Sequence, residues 1–198
     1  MRHDGLGRFV LRVFLWLPAC LAAWYYSATQ HAAIAGWLAR IFIDQFKSGI
    51  VTALERSGVD LVFVTSIKVH PAPGQTALLL PEVNPLVYTY GLAFMAALML
   101  GARAKWWKIV ICIVALLPFQ AWGIAFDFLV QVGVKFGPEV SAQAGLSGWR
   151  LDAIALGYQI GSLILPTLIP VLLWAAFNRR FIEDAIRVKA RTAPARPE

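Results

Sequence analysis

Four stretches of this sequence stay apolar for the length a helix needs to cross a bilayer, and nothing else constrains the fold as tightly. A hydrocarbon core about 30 Å thick takes ~20 residues of helix, within a range of about 17–25. Residues 9–26, 86–102, 106–126 and 154–177 meet that requirement. Arg12 and Lys108 lie near enough to span ends for their charges to snorkel to the interface. Pro118, Pro166 and Pro170 fall inside the apolar runs, where neighbouring helices can satisfy the carbonyls that proline frees. Residues 9–26 lack a small-x-small cleavage pattern leading into a soluble chain, so they read as a retained span. The chain is 59% hydrophobic and 15% charged, against about 25% charged for soluble domains. A soluble enzyme and a disordered tail are both excluded. The sequence predicts a mainly α membrane protein formed by residues 1–198 as one domain. Its architecture is a four-helix transmembrane bundle with a small extracytoplasmic α+β cap.

Lysine and arginine in the flanks set the orientation. With the N-terminus cytoplasmic, the inner segments carry 12 basic and four acidic residues, or +8, and the outer segments six basic and seven acidic, or −1. Both termini are therefore expected inside, in a bacterial inner membrane, and the basic excess reads as a topology signal with no nucleic-acid partner. Trp16, Trp106, Trp107 and Trp174 fall toward inner span ends, and Trp24, Tyr25, Tyr26 and Trp149 toward outer ones, as amphipathic rings prefer. Residues 178–198 form a basic cytoplasmic tail expected to meet anionic lipid. Cys20 and Cys112 sit in apolar runs without metal-type spacing and read as core residues.

Residues 29–84 form an extracytoplasmic insertion between the first two spans. Its first half, 29–56, contains no proline, and Ile34, Leu38, Phe42, Phe46, Ile50 and Leu54 recur every four residues. This predicts an amphipathic helix ending at Ser57-Gly58. Arg40, Asp44 and Lys47 are spaced to pair along another face. Residues 60–70 are rich in β-branched side chains, Pro71-Ala72-Pro73-Gly74 forms a turn, and 75–80 resumes as a strand, together a β-hairpin. The hairpin's first half is apolar on both faces, which implies that something covers it. Asn84 and Pro85 suit the start of the second span, with Glu82 close to the positive end of its dipole.

Polar residues mark the outer part of the bundle. Gln120, Asp127 and Gln131 share one stripe of the third span; Asp152, Gln159 and Ser162 share one of the fourth, with Arg150 just outside. At ~1.5 Å per residue from Lys108, Gln120 lies past the midplane and Asp127 near the outer interface. Ionisable or amide groups at such depth usually face a bundle interior, a cavity or a partner. Gln120 and Gln159 are therefore expected to face inward, with Asp127 and Asp152 above them. The candidate partner-binding set is Glu82, Asn84, Gln120, Asp127, Arg150, Asp152 and Gln159. Interhelical hydrogen bonding is the structural alternative for the same residues.

His3, His31 and His70 are scattered over both sides of the membrane, and no HExxH, P-loop or GxSxG is present, so neither a metal, a cofactor nor a catalytic residue is assigned. At this point the strings FLWLPACLAAWYY, LVFVTSIKV, PEVNPLVYTYGL and PFQAWGIAFDFL resemble those of the exosortase H-associated membrane proteins. The resemblance covers Phe14 to about Phe181. It implies a small bacterial inner-membrane protein working beside an exosortase, a transpeptidase-like membrane enzyme that processes C-terminal sorting signals. The Cys, Arg and His constellation of exosortases themselves is not recognisable here. The expected function is thus a non-enzymatic accessory protein that positions an exosortase or its sorting substrate, in contact with membrane lipid. The alternatives are a membrane-embedded enzyme using the outer-face carboxylates Glu82, Asp127 and Asp152, and a small transporter.

Overall fold

The computed structural model describes residues 6–72, 74–179 and 183; of the expected tail, all but Asn178, Arg179 and Glu183 lies outside the described residues. The first element, α1, is a single helix from Leu6 to Phe46, 41 residues long. At 1.5 Å per residue it measures about 61 Å, roughly twice a hydrocarbon core. The expected division into a span and a separate outer helix does not occur. No glycine or proline stands between Tyr26 and Thr29 to interrupt the backbone.

The helix stops ten residues before the expected end at Arg56. Gly49 takes φ +78°, the left-handed conformation that terminates helices and that glycine adopts without a Cβ clash. Residues Val51–Ser57 then form strand β1, a correction to the helix expected over 29–56. Gly58 lies in the turn that joins β1 to β2 (Asp60–Thr65). Two-residue strands follow: β3 (Lys68–Val69), β4 (Ala77–Leu78) and β5 (Glu82–Val83). One sheet has the order β1-β2-β5, with both pairs antiparallel, and β3-β4 form a second ladder.

The expected hairpin is present, in the register Lys68↔Leu78 and Val69↔Ala77. It continues through hydrogen bonds from Leu79 N to Ile67 O, Thr65 N to Leu79 O and Phe63 N to Pro81 O, and then Leu61↔Val83. Sequence patterning misses two strands, β1 and the short β5 in the segment read as a helix entry. Two strands alone would be marginal in water, and β1 makes β2 a central strand. The cover over β2 is also identified: Leu61 packs against Gly36 of α1, and the Phe63 ring sits 4.9 Å from that of Phe128.

The inward face of α1 is a run of small residues, Ala28, Ala32, Ala35, Gly36 and Ala39, followed by Ile43. The larger apolar ridge runs along its flank: Ile34 is exposed, while Leu38, Phe42 and Phe46 are partly buried against the core. Small side chains occupy the buried face because they let neighbouring elements approach closely: a Cβ on Gly36 would lie 2.8 Å from Leu61 of β2. Lys47, expected to pair along its own helix, reaches across to the Gln143 carbonyl at 2.6 Å.

The remaining elements of the described residues are helical: α2 (Leu86–Thr89), α3 (Gly91–Gly101), α4 (Trp106–Val130) with a π-helical turn at Gln131–Lys135, α5 (Pro138–Gln143), α6 (Trp149–Gln159), a π-helical turn at Ile160–Ile164, and α7 (Leu165–Phe177). Among the described residues, three stretches are long and apolar enough to cross a membrane: Leu6–Phe46, Trp106–Lys135 and Trp149–Phe177; the apolar Leu86–Gly101 is shorter. Ala93 and Ala97 of α3 pack on Phe9, Val13 and Cys20 of α1, and Met95 and Met99 on Cys112 and Leu116 of α4. Both cysteines are free and buried, in keeping with their reading as core residues.

Contacts define the two ends. Phe9 stacks on Trp174 at 5.3 Å, Arg12 donates to the Gly101 carbonyl, and Lys108 donates to the Phe177 carbonyl at 2.8 Å. The start of α1 and the end of α7 therefore share one end of the bundle. The sheet and α5 occupy the other, tied together by paired hydrogen bonds between the Gln143 amide and the Lys68 backbone.

Candidate functional site

One face of α4 and its π-helical extension brings polar groups together at the sheet end. Asp127 and Gln131 lie one turn apart on α4 and its π-helical extension, so their side chains meet: Gln131 Nε2 donates to Asp127 Oδ1 at 3.3 Å. The Tyr88 hydroxyl donates to Asp127 Oδ2 at 2.9 Å. Tyr88 reaches that position because its ring lies flat against Gly123, where any Cβ would collide with it. The wider π-helical turn carries Lys135 back over the cluster. Its ammonium stands 3.9 Å from Asp127 and 5.8 Å from the centroid of the Tyr158 ring.

The lead-in to α2 is bound to the same cluster. Gln131 Nε2 also donates to the Glu82 carbonyl at 2.8 Å, fixing β5 against α4. Asn84 Oδ1 accepts from the Leu86 N–H at 2.9 Å, one of the donors a helix start leaves unpaired. The carboxylate of Glu82 and the amide of Asn84 are exposed. Through Gln131, the Glu82 backbone and the Asp127 carboxylate are thus linked, while Asn84 bonds locally.

Gln120 lies deeper, about 21 Å along α4 from Trp106, and is only 4% exposed. Its Oε1 is 2.6 Å from His31 Nε2 of α1, and an amide oxygen accepts, so the imidazole donates from Nε2. Leaving such an amide unpaired in an apolar setting costs roughly 2–7 kcal/mol, which is why it turns inward. His31 is a residue that sequence reasoning left scattered. The signal was available, because it falls three residues after Ala28 and four before Ala35 and so belongs to the small-residue face of α1.

The remaining candidates stand apart. Arg150 donates within its own loop to the Gly145 carbonyl at 3.4 Å, and Asp152 and Gln159 are exposed. The expectation that Gln159 faces the interior is therefore corrected. The buried face of α6 consists of Ile154 and Gly157, continued by Gly161. Gly157 receives the Phe126 ring, and a Cβ on Gly161 would lie 2.9 Å from the Gly123 backbone. That seam has no room for an amide, so the Asp152–Gln159 stripe turns outward. Among the described residues, no three His, Cys, Asp or Glu side chains could together hold a metal ion. His70, at the hairpin turn, is exposed and bonds locally to the Gln75 carbonyl.

No curated protein and no solved structure matches the chain. A family model does, across residues 3–181, and its span takes in every element and every polar group described above. The chain belongs to the exosortase H-associated membrane proteins.

Proposed function

We propose that the protein is a non-enzymatic inner-membrane accessory subunit that positions exosortase H or its sorting substrate at the outer face of the bilayer. One observation carries this reading: the three long helices outreach a bilayer. Their 41, 30 and 29 residues correspond to about 61, 45 and 43 Å, against a core of about 30 Å. The excess lies at the sheet end, where α1 and α4 hold the sheet and α5 clear of the membrane. In this reading Leu86–Gly101 completes a four-helix bundle as a short fourth span, both termini are cytoplasmic, and residues 29–84 form the outer platform.

The surface offered to a partner is then polar and outward-facing. Glu82 and Asn84 expose their side chains on the segment that Gln131 ties to α4, while Arg150, Asp152 and Gln159 supply a second flank on α6. Gln120 supports the platform from beneath without reaching the surface. Co-purification with exosortase H from co-expressing bacterial membranes tests the association. The variant Glu82→Ala, whose exposed side chain contributes little to folding, should insert normally and lower processing of the sorting substrate. Unchanged processing and unchanged co-purification would refute the assignment of this surface.

A further inference from the structure

Gln120 satisfies only half of its amide. Its Oε1 is engaged by His31, whereas Nε2 is buried with no hydrogen-bond partner among the described residues. Gln120 is one of the residues lining a small cavity, with Tyr88, Gly91, Phe119, Leu165, Pro166 and Pro170. The space open to the centre of a water-sized sphere is about 10 Å³, the threshold for a single water and too little for a larger ligand.

The opposite wall supplies an acceptor. Pro170 has no N–H, so the Pro166 carbonyl, four residues earlier on α7, receives no intrahelical bond from it. That carbonyl oxygen lies against Gly91, at a place a Cβ would fill. The residues that carry a buried donor and a proline-freed acceptor therefore line one small cavity, in the part of the bundle where hydrocarbon offers neither a partner. Water sites need room and two to four polar groups, and both conditions are met.

We propose that this cavity is a water site: one water accepts from Gln120 Nε2 and donates to the Pro166 carbonyl, joining α4 to the proline-interrupted α7. Together with the His31 bond it links α1, α4 and α7 through one amide. The proposal is independent of the partner-binding role.

Water-edited solid-state NMR on the full chain in lipid bilayers, with glutamine side chains labelled by ¹⁵N, tests it. The Gln120 side-chain amide, identified by its loss in Q120L or its displacement in Q120N, should receive magnetisation from water. Transfer from acyl-chain methylenes in its place would overturn the site. Pro170→Ala supplies an N–H for the Pro166 carbonyl and should weaken the water transfer. Undiminished transfer in that variant would overturn the bridge to α7.

Discussion

A single methyl group at Gly157 tests the packing that turns α6 and fixes which of its faces is outward. Its Cβ would fall on the Phe126 ring, and that ring has nowhere to go. Trp122 is stacked on it at 4.5 Å, Phe46 meets it edge-on at 5.6 Å, and it is 5% exposed. Overpacking of this kind costs about 1–3 kcal/mol. The Gly157 carbonyl also accepts from Trp122 Nε1 at 3.1 Å, a bond worth about 0.5–1.5 kcal/mol that a displaced helix would weaken. Alanine returns about 1 kcal/mol in helix propensity. Gly157→Ala should therefore destabilise the protein by roughly 1–3 kcal/mol net, read by reversible unfolding in mixed detergent micelles. Gly7→Ala is the control, because a Cβ there meets nothing within 4 Å. Phe126→Leu should recover part of the loss in the double variant. A Gly157→Ala protein as stable as the parent, or more stable, would refute the tight seam and with it the argument for an outward Gln159.

Two further outcomes follow from the same structure. Tyr88→Phe removes the hydroxyl from Asp127 while keeping the ring on Gly123, and should cost about 1.5–3 kcal/mol, the range for a hydrogen bond to a charged group; a loss below about 0.5 kcal/mol would show that Gln131 and Lys135 suffice for Asp127. Single cysteines at Gln75 and Lys105, in a background lacking Cys20 and Cys112, should react with impermeant reagents from opposite sides of the membrane, and labelling of both from one side would refute the proposed topology.

The parts of this fold legible in the sequence are those governed by local patterning. The β-branched run 60–70, the Pro-Gly turn and the resumed strand declare the hairpin, and the apolar runs declare the helices. Strand β1 was hidden because Ile50 and Leu54 extend the four-residue apolar period of α1. Gly49, preceded by Lys47 and Ser48, carried the contrary signal. The buried face of α1 escaped because periodicity was read from large side chains, whereas Ala28, Ala32, Ala35 and Ala39 make the contact. In the site, the depth of Gln120 follows from counting along one helix, but its partner His31 lies 89 residues away, and only packing brings them together. The stripe of Asp152 and Gln159 was correctly periodic and wrongly faced, since spacing defines a face without saying which neighbour it meets.

Site-specific photo-crosslinking tests the central claim most directly. Benzoylphenylalanine placed singly at Glu82, Asp152 and Gln159 samples the proposed outer platform, and at Val114, 59% exposed on α4, samples the lipid-facing bundle. In membranes co-expressing exosortase H and a sorting substrate, adducts with one of these proteins are expected from the platform positions and none from Val114. Adducts confined to Val114, or none from any platform position while the proteins still co-purify, would contradict it.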